Sequence, residues 1–230
     1  MSKHLSDTVE DYLKTIYKLS GDQSRVGTGQ IAEILDVSPA SVTVMVQRLA
    51  AEVPPLLNYA KHKGVELTEQ GRLAALEIIR HHRLLELFLH EVLGYSWDQV
   101  HAEADRLEHV ISEEFEERVA EVLGDPARGL HGEPIPSRSL VMPDSHTSYL
   151  LDMRPNQHGR IREVNDDDPG LLRFLESRGI VPGVMFQVLD YSTYDDNLRL
   201  KLEGNPEEIV LGASVTSQVL VEETESEMYG

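Results

Sequence analysis

Apolar residues recur at the helical period through the first half of the chain and alternate at the strand period through much of the second. Val9, Tyr12, Leu13, Ile16, Tyr17 and Leu19 predict an amphipathic helix over 5–20, with Ser6 or Asp7 as its cap and Gly21 after its end. A short helix near 28–35 is broken by Asp36-Val37-Ser38. Ser38 then caps a helix that has Pro39 at its first position, where a missing N–H costs little. That helix reaches about residue 51, with Val42, Val46 and Leu49 facing inward, and the pair forms a helix-turn-helix. Leu56–Tyr59 and Gly64–Leu67 predict two short strands around a basic tip, Ala60-Lys61-His62-Lys63-Gly64. A hairpin placed there makes a winged helix. Its second helix shows Ser41, Thr43, Gln47 and Arg48 outward, which suit base edges and phosphates, while Lys61 and Lys63 suit backbone phosphates. Thr28, Ser38 and Pro39 complete the candidate DNA contacts.

Thr68 opens a long helix running to about Val92-Leu93, roughly 25 residues and so about 38 Å. Ser96 or Asp98 caps a helix from Trp97 to His109 or Ile111, and Ser112 starts another to about Leu123. The apolar surfaces of 73–123 exceed what so small a unit covers alone, so part of them is expected to form a dimer interface. Pro126, Pro134, Pro136 and Pro143 then punctuate a linker. Strand-like runs at 159–164, 185–189, 198–202 and 209–211, with a helix near 169–178, predict a small β-barrel. The expected organisation is mainly α with a small all-β C-terminal domain. It comprises a winged-helix DNA-binding domain (1–71), a helical metal-binding and dimerisation domain (72–124), a Pro-containing linker (125–149), a barrel (150–222) and an acidic, frayed tail (223–230).

Charge sharpens this division. The net charge is −19, yet residues 1–71 hold 7 Lys or Arg against 9 Asp or Glu, while the remainder holds 14 against 31. DNA contacts are therefore expected only before about residue 72, where a local basic face is compatible with near-neutrality. The 40% hydrophobic content supports a packed core. No signal-peptide pattern stands at the N-terminus and no apolar run is long enough to span a membrane, so a soluble cytoplasmic protein is expected. Cysteine is absent, which excludes disulfides, thiol nucleophiles and Cys-held zinc. Any metal must be held by oxygen and imidazole, ligands that suit manganese, iron(II) or zinc.

Such ligands are present. On one helix His101, Asp105, Glu108 and His109 would fall within roughly 100° of one another. Acidic helix stripes are ordinarily solvated faces. Here His82 and Glu86 stand one turn apart on another helix and Asp11 sits at the apolar edge of a third. The stripe is interleaved with Val100, Ala104 and Leu107, and burying unpaired ionisable groups there would be costly unless a cation offset it.

Residues 5–124 resemble the metal-dependent repressors of the DtxR/MntR family. The resemblance lies in Asp7-Thr8-Val9-Glu10-Asp11-Tyr12-Leu13-Lys14-Thr15-Ile16-Tyr17, the winged helix, His82-Arg83-Leu84-Leu85-Glu86 and the His101-to-His109 motif. Residues 150–222 resemble the SH3-like (FeoA-type) barrel of the longer members. The resemblance implies a primary metal site of Asp11, Asp105, Glu108 and His109, and an ancillary site of His82, Glu86 and His101. In longer members the barrel adds ligands. Asp168 is the nearest candidate, with Leu171 at the second donor position, although Asp166-Asp167-Asp168 before Pro169 also reads as a helix cap. Iron-responsive members place methionine and cysteine where this chain has Asp11 and Asp105, so the harder ligands favour Mn²⁺, with Fe²⁺ as the alternative and Zn²⁺ or Co²⁺ as substitutes. Manganese-responsive members use glutamate where this chain has Lys14, which bears on their close two-metal arrangement.

The resemblance implies a homodimeric repressor of metal-uptake genes that binds a palindromic double-stranded operator when metal ties the first helix to the ligand-bearing helix. A helical-site metalloenzyme and a metal-storage protein are the alternatives. The chain contains no His-Glu-x-x-His and no Glu-x-x-His pair, so no enzymatic activity is expected.

Overall fold

The computed structural model describes residues 5–21 and 25–224. It divides into two compact units. One takes the chain up to His81 with Glu108–Ile111 and Pro136–Met142; the other takes His82–Leu107, Ser112–Ile135 and the chain from Pro143 on.

In the first unit α1 (Asp7–Ser20), α2 (Thr28–Ile34) and α3 (Pro39–Ala50) follow the expected periodicity closely. Ser38 caps α3 by accepting the Ser41 N–H at 3.1 Å, a cap worth about 1 kcal/mol. Leu13, Ile16, Ile31, Val42, Val46, Leu49, Leu57 and Val65 form a single buried cluster. Each such side chain contributes about 1.5–3 kcal/mol. The wing is β1 (Leu57–Ala60) against β2 (Gly64–Leu67), antiparallel, with Ala60 opposite Gly64. Its tip is therefore Lys61-His62-Lys63, all exposed, with His62 and Gly64 at φ +65° and +86°. A side chain at Gly64 would come within 2.6 Å of the Val26 carbonyl, which explains the glycine. Val26 adds a further rung: it exchanges two backbone hydrogen bonds with Val65 at 2.8 and 2.9 Å. Sequence periodicity gave no sign of this pairing.

The helix α4 (Glu69–Glu91) starts where Thr68 Oγ1 accepts the Gly71 N–H at 3.1 Å, and the division between units falls within it. The stripe-bearing helix α5 (Val100–Leu107) is shorter than expected at both ends. Its predecessors are committed elsewhere: Trp97 is buried in the core of the β domain, and Asp98 pairs with Arg173 at 2.6 Å. At its other end the Glu108 carbonyl accepts from His81 Nδ1 at 3.1 Å, and residues 108–110 form a turn. Glu108 and His109 thus leave the helix that was expected to carry them. Ser112 caps α6 (Glu113–Val122) by accepting the Phe115 N–H at 3.2 Å. Leu84, Val119, Ala120 and Ile135 form the small core around it.

The stretch expected as a linker over 125–149 is only partly one. His131, Glu133 and Ile135 are buried, and the His131 carbonyl accepts the Val164 N–H at 2.9 Å. Gly132 sits at φ +93°, where a side chain would lie 1.8 Å from the Arg162 carbonyl. Loop packing against a strand, not a linker, accounts for this burial.

The rest is a six-stranded antiparallel sheet. In chain order it comprises β3 (Ser148–Tyr149), β4 (His158–Val164), α7 (Pro169–Ser177), β5 (Met185–Ser192), β6 (Asn197–Leu202), β7 (Glu208–Leu211), α8 (Ala213–Thr216) and β8 (Val219–Thr224). The spatial order is β3-β8-β4-β5-β6-β7. Register shifts interrupt the pairing of β4 with β8 and of β5 with β6, and Phe186, Val188, Leu200 and Val221 lie in the core of this domain. β3, α8 and β8 add to the expected elements. Glu223 and Thr224 of the expected tail belong to β8, and residues 225–230 lie outside the described residues. No described helix is long and apolar enough to cross a membrane.

Candidate metal centre

Ligand groups emerge in each of the two units. In the first unit the ligand atoms of Asp11, Glu108 and His109 lie within 4.8 Å of one another. His109 Nε2 is 3.1 Å from Asp11 Oδ1 and 3.5 Å from Glu108 Oε1. Its Nδ1 lies 2.7 Å from Glu10 Oε2. With Nδ1–H donating to Glu10, Nε2 presents its lone pair to the trio, the arrangement that orients metal-ligating histidines. Glu10 was missed from the sequence, where it is one more acidic residue in the first turn of a helix. The Glu108 side chain is fully buried, while Lys14 donates to its Oε1 at 2.6 Å. Two carboxylates and an imidazole, without sulfur, fit a hard or borderline divalent ion. The partly exposed Asp11 leaves the trio open to solvent.

Asp105, expected with this trio, lies 3.3 Å from His82 Nδ1 and 3.5 Å from His101 Nε2, in the second unit. There His82, Glu86, His101 and Asp166 bring their ligand atoms within 4.8 Å of one another. Glu86 Oε1 is 3.1 Å from both His82 Nε2 and His101 Nδ1, and His101 Nδ1 is 3.3 Å from Asp166 Oδ2. Burial opposes the His101 imidazolium, but the hydrogen bonds to Asp166 and Glu86 overcome it and push the ring up to about 10. Burial likewise opposes ionisation of Glu86. The His82 charge, with hydrogen bonds from His101 and His82, outweighs it and pulls the carboxyl down to about 2. The imidazolium protons thus offset part of the negative charge of Glu86 and Asp166. Two imidazoles and two carboxylates fit a divalent ion in their place.

The barrel's contribution differs from expectation. Asp168 caps α7, its Oδ1 accepting the Gly170 N–H at 2.7 Å. The carboxylate that faces His101 is Asp166, two residues earlier. Proline at 169 favours a cap immediately before it, the alternative that the sequence already offered for Asp168. Behind Glu86 lie His131 and Glu133, also unanticipated; burial and the Glu86 charge push the Glu133 carboxyl up to about 8.

The candidate DNA face lies on the first unit. Ser38, Pro39, Ser41, Gln47, Arg48, Lys61 and Lys63 are exposed, and Thr28 and Thr43 are half-buried. Thr43 Oγ1 donates to the Pro39 carbonyl at 2.9 Å, so its hydroxyl is already engaged within α3.

Comparison with known proteins finds three family matches along the chain. Residues 4–65 match the family described as "Iron dependent repressor, N-terminal DNA binding domain", and 68–137 match "Iron dependent repressor, metal binding and dimerisation domain". Residues 149–223 match the FeoA domain. The chain is 45% identical over 132 residues to the iron-dependent repressor IdeR of Mycobacterium tuberculosis (strain ATCC 25618 / H37Rv), covering 57% of this chain and 56% of that one. The match thus spans little more than half of that relative's length. With IdeR of Mycobacterium leprae (strain TN) it is 43% identical over 196 residues, covering 80% and 84%. Among solved structures, a manganese-dependent transcriptional repressor in complex with manganese superimposes with a TM-score of 0.85 at 33% identity, covering 93% of this chain and 98% of that one. ScaR with bound Zn²⁺ gives 0.77 at 32%, again covering 93% and 98%.

Proposed function

The chain belongs to the iron-dependent repressor family, and we propose that it is a homodimeric, divalent-metal-dependent transcriptional repressor with no catalytic activity, acting on palindromic operators of metal-uptake genes in the cytoplasm. The observation that carries this reading is the convergence of Asp11, Glu108 and His109 in the same unit as the winged helix. Asp11 projects from α1, and α1 packs on α2 and the wing strand β2. Glu108 and His109 occupy the turn that joins α5 to α6. Holding all three requires α1 to stay against that turn, because two carboxylates repel unless a cation lies between them. Glu10 and Lys14, one on each side of Asp11, orient His109 and engage Glu108.

The activating ion is Mn²⁺ in this reading, with Fe²⁺ the competitor and Zn²⁺ or Co²⁺ able to substitute. The support is chemical: Asp11 and Asp105 supply oxygen where softer sulfur would favour other metals. His82, Glu86, His101 and Asp166 form the ancillary site, with Asp105 beside it. The half-buried Leu87 and Phe88, together with Phe115 (44% exposed) and Val122 (66% exposed), form the apolar face offered to the second subunit. Ser41, Gln47 and Arg48 read bases, while Lys61 and Lys63 hold backbone phosphates.

A gel-shift titration on operator DNA tests this reading, comparing Mn²⁺, chelator, and Asp11→Ala with Mn²⁺. Tight binding is expected only in the first condition, and equal affinity in all three would refute it. Lys61→Ala with Lys63→Ala should weaken binding and flatten its salt dependence.

A further inference from the structure

The turn of the wing carries a side chain that its own backbone does not favour. The Lys63 N–H donates to the Ala60 carbonyl at 2.9 Å, so Lys61 and His62 are the central pair of a tight turn. His62 is the second of them and sits at φ +65°. A left-handed residue at that place in a turn is ordinarily glycine or asparagine. The imidazole is exposed, and among the described residues none pairs with it. The helices packed on the wing, α1 on β2 and α3 on β1, meet it through the apolar cluster that holds Leu57 and Val65. Neither packing nor hydrogen bonding within the chain accounts for His62, and an unfavoured backbone at an exposed tip points to a partner outside it.

The surroundings say what that partner carries. Lys61 and Lys63 flank His62 on the turn, both exposed. The connector that precedes α2 packs beneath the tip, since a side chain at Gly64 would lie 2.6 Å from the Val26 carbonyl and 3.6 Å from Arg25 Cβ. Arg25 from that connector pairs with Glu66 of β2 at 3.2 Å, so these two charges offset each other. The tip is left with two permanent cations and one imidazole between them. Imidazole is the side chain whose charge changes between about pH 5 and 8. A phosphate beside it favours the charged form, both by Coulomb attraction and by a charge-assisted hydrogen bond.

We propose that His62 is a proton-dependent phosphate contact of the wing: as an imidazolium it holds a backbone phosphate of bound DNA, so binding takes up a proton at the wing and strengthens as pH falls from about 8 to about 6. This rests on the reading of the wing as a DNA contact and adds that the contact responds to pH. Phosphate contacts are independent of base sequence, so a duplex of mixed sequence registers the effect.

The test measures fluorescence anisotropy of a labelled mixed-sequence duplex with the full-length, Mn²⁺-saturated protein, in salt titrations at about pH 6 and about pH 8. The logarithm of the binding constant falls with the logarithm of salt by about 0.9 for each phosphate neutralised. The wild type should therefore show a steeper slope at the lower pH, by about 0.9 for each wing engaged. His62→Asn suits the left-handed backbone and never carries the charge, so it should lose this added steepness. His62→Lys should show the steeper slope at both pH values. The same change of slope in the wild type and in His62→Asn overturns the proposal, because the proton then belongs to other groups, such as the imidazoles of the metal centres. Absence of duplex binding by the wild type at both pH values overturns the DNA-contact reading and the proposal with it. Duplex binding whose pH response ignores position 62 overturns the proposal alone. Nuclear magnetic resonance of the Zn²⁺-loaded protein gives a second readout, with the His62 ring signal assigned by its loss in His62→Lys. Its titration midpoint should move up when the duplex is added. If His62→Asn does not fold, as judged by circular dichroism, this titration decides, and a midpoint that stays in place overturns the proposal.

Discussion

Replacing Lys14 with methionine separates the roles of cation and ligand at the first site. The ammonium donates to Glu108 Oε1 at 2.6 Å, with Lys14 only 13% exposed and the Glu108 side chain fully buried. A hydrogen bond between charged groups contributes about 1.5–3 kcal/mol, and breaking a buried pair costs more when the remaining charge lacks other support. Glu108 retains His109 3.5 Å away, so a loss of about 2 kcal/mol is expected for the metal-free protein. A divalent ion at Asp11, Glu108 and His109 would sit beside the same oxygen and repel the ammonium. Metal must therefore displace or weaken the Lys14 contact. Removing it destabilises only the metal-free state, and by linkage the deficit returns as affinity, about 30-fold tighter for about 2 kcal/mol. The assay pairs chemical denaturation of the chelated protein with isothermal titration by Mn²⁺. Lys14→Met should be less stable without metal and bind Mn²⁺ more tightly. Lower stability with weaker Mn²⁺ binding would refute the competition and make Lys14 a support of the loaded site.

Two further predictions concern the second unit. His101 is held at about 10, above its ordinary 6.5, so the stability it adds is fully present below about pH 6.5 and lost as pH rises through about 10. Metal must displace that proton; loading at pH 8 should release it, measurably with a pH indicator in weak buffer, and binding insensitive to pH between 6.5 and 9 would contradict this. Gly132→Val would place a branched side chain at φ +93° and 1.8 Å from the Arg162 carbonyl. It should destabilise the second unit by about 3 kcal/mol or more, read by denaturant unfolding, and a change within ±0.5 kcal/mol would show that the loop yields freely.

The residues of the winged helix announce it because local chemistry decides each step: a Ser38-Pro39 cap, inward Val42, Val46 and Leu49, and a basic tip ending in a glycine that nothing larger could replace. His82 and Glu86 were legible as neighbours one turn apart on α4. The failures are long-range. Periodicity puts Glu108 and His109 on one helical stripe with Asp105, but the helix ends at Leu107, which leaves Glu108 and His109 on the turn beyond it. Asp166 meets His101 through a contact between residues 65 positions apart, which no periodicity encodes. His131 and Glu133 stand in a proline-punctuated segment that reads as linker, since loop packing leaves neither a helical nor a strand period.

The central claim is that metal binding and operator binding favour the same conformer. Linkage then requires each to strengthen the other by an equal factor. The direct measurement is Mn²⁺ affinity, by titration under matched salt, with and without saturating operator DNA. The account predicts tighter Mn²⁺ binding with operator, by the factor through which Mn²⁺ tightens operator binding. An Mn²⁺ affinity unchanged by operator would contradict it.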